Sequence, residues 1–218
     1  MLPAGAYVTL EHEYILIFRK GAKREFAAAS EKSSRMRSAF FWEERNRWFS
    51  DIWDFKGVSQ ELNNPGLRKR SAAYPLELAY RLVNMYSLYE DTVLDPFLGT
   101  GTTMLASITC ARNSIGFEID KAFSPVVINR KDAIPALAGA LLTARISSHK
   151  EFVASYTKSK GPMKYVNRPH GFTVVTKQET EIQLYKVKNV VDMDSMIKVS
   201  YEPLGKFNGI DAADTFKY

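Results

Sequence analysis

The chain has 218 residues, 45% of them hydrophobic, and 30 Lys and Arg against 24 Asp and Glu, for a formal net charge of +6. That length and apolar content build one ordered domain with room for an appendage, which excludes wholesale disorder, and the charge favours a polyanionic partner. One cysteine forms no internal disulfide and fits a reducing cytoplasm, no secretory signal is legible around Leu2–Gly5, and no apolar run of about 18 residues offers a membrane span.

From Arg19 to Arg70 the sequence is basic and aromatic together. The candidate DNA contacts here are Arg35, Arg37, Arg45, Arg47, Arg68, Lys69 and Arg70, interleaved with Phe40, Phe41, Trp42, Trp48, Phe49, Trp53 and Phe55. Core packing is the simpler reading of the aromatics and phosphate contact of the cations. Ser30 to Ser34 reads as a flexible stretch. Pro75 suits the first turn of a helix, with Leu76, Ala79, Tyr80, Val83 and Tyr86 on one apolar face.

Asp91 to Leu94 reads as a buried strand and Thr102 to about Ala111 as a helix. Between them, Asp95-Pro-Phe-Leu-Gly-Thr-Gly-Thr-Thr103 ends a strand in an acid, turns through Gly-x-Gly and opens a helix. The glycines let backbone approach a ligand, and the helix start offers unpaired N–H groups. No lysine follows the glycines, so this is not a phosphate-cradling P-loop. Met104 stands where a dinucleotide fingerprint has a small residue, and Asp95 at the mouth does not suit a pyrophosphate. Asn113 to Asp120 reads as a second strand with Glu118 at its carboxyl end, the place of a ribose-binding acid. An acid for an ammonium and an acid for a ribose together point to S-adenosylmethionine.

Ala133 to Ile146 reads as a helix, His149 to Arg168 as a basic loop, and Phe172–Thr176 and Ile182–Val187 as strands about a turn. The chain after about Asp192 reads as a loosely packed end. Cys110 is expected to be a buried small hydrophobe. The three histidines have no metal-binding spacing, so no metal is expected.

Asp95 to Thr103 closely resembles the cofactor motif of amino-methylating DNA methyltransferases acting on adenine N6 or cytosine N4. Arg70 to Ser87 resembles the helix that precedes this motif in the beta-type order, and Glu11 to Gly21 the late strand that closes the catalytic half. The resemblance covers about residues 5 to 130. It implies an S-adenosylmethionine site built from Asp95, Phe97, Gly99, Thr100, Gly101, Thr102, Thr103, Glu118 and Ile119, with Tyr74 and Pro75 beside it. It also implies an α/β fold: a partial Rossmann-like methyltransferase sheet with a small basic recognition region and a C-terminal α+β appendage. The corresponding division is 1–20 late strand, 21–70 recognition-like region, 71–146 cofactor half and 147–218 appendage.

The catalytic tetrapeptide of that family, Asp/Asn/Ser-Pro-Pro-aromatic, is absent: Asp95-Pro96 belongs to the cofactor loop, and no Pro-Pro occurs. The expectation is therefore a cofactor-binding half, acting on double-stranded DNA with a second chain that carries the catalytic half; a fragment or decayed gene product would read alike. An RNA guanine-N2 methyltransferase and a non-enzymatic DNA-binding subunit are the alternatives. The first would place a Pro-Pro motif after the loop, where none is found.

Overall fold

The computed structural model describes residues 12–55, 74–193 and 196–207. In chain order its helices and strands are α1 (Ala29–Arg37), α2 (Trp42–Trp48), α3 (Leu76–Tyr86), β1 (Thr92–Asp95), α4 (Thr102–Thr109), β2 (Asn113–Gly116), α5 (Ser124–Asn129), α6 (Ile134–Lys160), β3 (Tyr165–Val166), β4 (Thr173–Val174), β5 (Tyr185–Met193) and β6 (Met196–Pro203). β1 and β2 are parallel, in register from Thr92 opposite Asn113 to Asp95 opposite Gly116, with α4 as their crossover. Val93 turns toward α3 and α4 and joins the core of Trp48, Ala79, Tyr80, Val83, Ala106 and Cys110. On the opposite face Leu94 and Ile115, paired in register, are 59% and 51% exposed. Among the described residues this small sheet is covered on one side only.

The apolar face expected of α3 is present in Ala79, Tyr80 and Val83, but Tyr86 is exposed. Asn84 takes the buried place instead, because its amide is satisfied by Tyr80 O at 2.9 Å and Cys110 Sγ at 3.1 Å. Cys110 is buried as expected, and burial pushes its thiol pKa up to about 11.

α6 runs for 27 residues, about 40 Å at 1.5 Å per residue. Its Ile134 packs with Leu105 and Ile108, and its Leu142 and Ile146 with Phe41, Phe172, Val174, Ile182, Leu184 and Leu204. The basic loop expected from His149 is therefore helix as far as Lys160. The helix continues because its far half has partners distant in sequence: His149 is fully buried, with Nδ1 2.8 Å from Glu43 Oε1 and its ring stacked on Phe41 at 3.8 Å. Ser30 to Ser34 likewise lies within α1, whose first turn is held by Ala28 N–H donating to the Glu31 carboxylate at 2.9 Å.

Beyond α6, β3 and β4 form a two-residue antiparallel pair, and residues 182–184 lie outside the strand that begins at Tyr185. Of the end expected to be loose after Asp192, the described residues include β6, which pairs antiparallel with β5, with a bulge between Val187 and Asn189. Val187, Val190, Ile197 and Val199 bring it against the Leu105–Ile134 cluster, and Tyr201 Oη donates to Ile108 O at 2.8 Å. The regions set apart as 21–70 and 147–218 share one core: Gln183 N–H donates to Arg37 O, and Trp42 N–H to Glu179 Oε1. Residues 12–20 form no strand, contrary to the late strand expected there, since no described residue pairs with them. No helix among the described residues is long and apolar enough to cross a membrane.

Candidate functional site

The loops that leave the carboxyl ends of β1 and β2 lie side by side because the strands are parallel and in register. Gly99 and Gly101 adopt φ of 51° and 81°, the left-handed region that a side chain disfavours, so both glycines are required by the turn itself. Gly101 is the N-cap of α4, and no side chain caps that helix. Its first-turn N–H groups, with the positive end of the helix dipole, are left for an acceptor.

Cross-loop hydrogen bonds fix the arrangement. Leu98 N–H donates to Phe117 O at 2.8 Å, and Phe117 N–H to Asp95 O at 2.9 Å. Glu118 joins both loops: Oε2 accepts from Gly99 N–H at 2.8 Å and Oε1 from Asp120 N–H at 2.9 Å. Asp95 Oδ1 accepts from Phe97 N–H at 3.0 Å, which turns the chain away from the strand end. The second strand stops at Gly116, short of the Asp120 expected, so Glu118 stands two residues past its end while Asp95 ends β1, each with lone pairs beyond those used by the backbone.

The expected cofactor residues come together here. Thr100 and Thr102 are buried in the turn, whereas Phe97 and Ile119 are 87% and 98% exposed. Tyr74, just before α3, meets Thr103 through its hydroxyl at 2.5 Å, and Pro75 caps α3 beside it. Partial burial raises the Tyr74 pKa, the bond to Thr103 opposes this and the Asp95 charge adds to it, so the phenol stays protonated at neutral pH.

Gly116 is a site residue that sequence did not single out. A Cβ there would stand 2.6 Å from Leu98 Cδ1, so the close approach of loop to strand depends on its absence. Also unforeseen is a cleft of about 980 Å³ along the outer side of β2, walled by Met104, Phe123, Val127, Ile197 and Tyr201 and reaching Glu118. Asp95 and Phe97 do not line it, so it adjoins the two-carboxylate site without containing it.

The expected DNA contacts are dispersed. Arg35, Arg45 and Arg47 are exposed, with the Arg45 guanidinium over the Trp42 and Phe49 rings at 5.7 Å. Arg37 is half-buried and donates to Tyr185 Oη at 3.1 Å. Arg68, Lys69 and Arg70 lie outside the described residues. Of the aromatics, Phe41 and Trp48 are core, as the simpler reading had it. No group of His, Cys, Asp and Glu among the described residues could hold a metal ion.

A family model for DNA methylases, N6_N4_Mtase, matches residues 1–130. The type II methyltransferase M.MthZI of Methanothermobacter thermautotrophicus is 52% identical over 196 residues, 87% of this chain and 54% of that protein. M.MjaI of Methanocaldococcus jannaschii is 52% identical over 126 residues, 58% of this chain and 40% of that protein. The chain thus spans about half the length of the curated relatives it matches. A solved structure of TTHA0409 from Thermus thermophilus, assigned as a DNA modification methylase, is 36% identical, covers 59% of this chain and 49% of its own, and superimposes with a TM-score of 0.46. With more than half of its residues inside the matched region, the chain belongs to the N6/N4 DNA methylase family.

Proposed function

We propose that this chain is the S-adenosylmethionine-binding part of a DNA amino-methyltransferase, of the type found in restriction–modification systems, and that the catalytic part lies outside these 218 residues. One observation carries the reading: Asp95, at the end of β1, and Glu118, two residues beyond the end of the parallel strand β2, flank a Gly-x-Gly turn into an uncapped helix. Asp95 with the loop backbone would hold the methionyl ammonium, and Glu118 the ribose hydroxyls. Tyr74 and the Gly99–Thr103 turn would shape the floor, with Phe97 and Ile119 closing over the ligand. One of the relatives' solved structures, from Thermus thermophilus, is a complex with S-adenosyl-L-methionine.

When bound, that cofactor supplies a sulfonium-activated methyl group. The chain's own contribution is to orient it, because in-line transfer to an amine is chiefly a matter of positioning. Nothing in the 218 residues provides the Pro-Pro tetrapeptide that would hold a flipped base, so the acceptor would be aligned by residues outside them. Calorimetric titration with S-adenosylmethionine tests the cofactor half. Glu118→Ala is expected to lose about 1–3 kcal/mol of binding, the scale of a charged buried hydrogen bond. Equal binding by both proteins would remove Glu118 from the site. Tritiated-methyl transfer to duplex DNA tests the division of labour. No turnover is expected from the chain alone, and turnover abolished by Asp95→Ala would refute the two-part reading.

A further inference from the structure

One guanidinium lies over two aromatic rings just after α2. Trp53 and Phe55 stand edge to face with ring centroids 5.7 Å apart, and Arg81 Cζ lies 5.5 Å from the Trp53 ring and 4.6 Å from that of Phe55. Arg81 belongs to α3, where Glu77 one turn earlier accepts from its Nε at 2.8 Å and holds the guanidinium in place. A second tie fixes Trp53, whose indole N–H donates to Trp48 O at 3.0 Å. Trp48 is itself core, packed with Ala79, Tyr80 and Val83 of α3. The segment is thus clamped to the helix that starts beside the cofactor turn.

Residues 52–55 alternate in burial: Ile52 and Asp54 are exposed, whereas Trp53 and Phe55 are partly covered. Alternation by two is that of an extended chain, so a clamp on Trp53 and Phe55 turns Ile52 and Asp54 outward together. Ile52 is 77% exposed, and Asp54 makes no hydrogen bond or ion pair among the described residues. A carboxylate repels phosphate, so this strip is no backbone-contacting surface. It has the chemistry of a base reader: a carboxylate accepts from the N4 amine of cytosine, and an aliphatic side chain meets the methyl of thymine. The attraction to phosphate comes from α2 just before it, where Arg45 and Arg47 are exposed. Such contacts position a duplex, whereas base edges specify it.

We infer that Ile52 and Asp54 read base edges in the major groove of duplex DNA, and that Arg81 is the positioning residue that sets their orientation. This inference rests on the reading of the chain as part of a DNA amino-methyltransferase. Asp54 supplies a preference for cytosine and Ile52 one for thymine. Arg81 touches no base and acts through Trp53 and Phe55. The helix that carries it begins where Tyr74 meets Thr103, so α3 relates the bases being read to the cofactor turn.

The test selects bound duplexes from a pool with a randomised centre, using the full chain with S-adenosylmethionine present, and sequences them. Wild type should enrich a motif. Asp54→Ala should lose the preference for cytosine at one position by about fivefold or more, without weakening binding to the pool as a whole. Arg81→Leu should relax the positions affected by Asp54→Ala and Ile52→Ala, and the double variant Arg81→Leu, Asp54→Ala should relax the cytosine position no further than either single change. S-adenosylmethionine affinity, measured on the same samples, should stay at the wild-type value in all of them. An unchanged motif in Asp54→Ala would overturn the base-reading role. Loss of cofactor binding in Arg81→Leu would make the clamp a support of the fold and overturn its positioning role. Wild type that binds the cofactor but enriches no motif would overturn this inference alone, and wild type that binds neither would overturn the proposed function with it.

Discussion

Glu118 does two things with one carboxylate. It ties Gly99 to Asp120 through backbone N–H groups at 2.8 and 2.9 Å, and it has further lone pairs just beyond the end of β2. Glu118→Gln keeps one accepting oxygen, so its affinity for S-adenosylmethionine should fall between those of wild type and Glu118→Ala. His170 is a different kind of residue, buried and neutral. Its Nε2 accepts from Leu184 N–H at 2.8 Å, so the proton sits on Nδ1 and is donated to Gly205 O at 3.2 Å. Burial lowers its pKa, the bond to Gly205 opposes this, and the Arg145 charge lowers it further. A histidine depressed in the folded state stabilises fully above its unfolded value of about 6.5, and that contribution is lost as pH falls through the depressed value. The urea midpoint should therefore drop between pH 7 and pH 5. His170→Asn should have a lower midpoint at pH 7 and a flatter dependence; an equally steep profile would place the acid sensitivity elsewhere.

At the scale of elements, the strand–turn–helix around Asp95 was legible because its signals are local: an apolar run, two glycines and a helix start within about twenty residues. What escaped depends on distant partners. Lys150, Lys158 and Lys160 mask the far half of α6, which becomes helix because Glu43 meets His149 and Phe41 stacks on it. The β6 strand does carry a period of two in Ile197, Val199 and Tyr201, but its partners are β5 and the Leu105 cluster. The uncovered face of Leu94 and Ile115 could not be read from their apolar character, which suits a buried strand equally well. The joint of α2 with α6 is the clearest such long-range device. Arg145 Nε and Nη2 reach the two oxygens of Glu44 at 2.5 and 2.8 Å, with both side chains almost fully enclosed. Removing one member of such a pair strands the other charge away from water, so Arg145→Ala should cost about 3–5 kcal/mol in urea unfolding. A loss below about 1 kcal/mol would show that water reaches Glu44 easily.

For the whole molecule, charge belongs with the recognition reading. If exposed Arg35, Arg45 and Arg47 meet phosphate, log affinity for duplex DNA should fall with log salt by about 0.9 per contact. Arg45→Glu with Arg47→Glu should flatten that slope by about two contacts' worth. An unchanged slope would assign the phosphate contacts to Arg68–Arg70 or to the cations between Lys150 and Arg168.

The length of α6 bears on how such a molecule can be divided. Ile134 anchors it to the cluster behind the cofactor turn, and Ile146 anchors it to the cluster shared by Phe41 and Leu184. One helix thus contributes to both clusters. A boundary drawn after residue 146, as the sequence division has it, would cut through this helix. Seams for dissection, insertion or fusion are therefore expected outside residues 134–160, because a cut within them would part the two clusters.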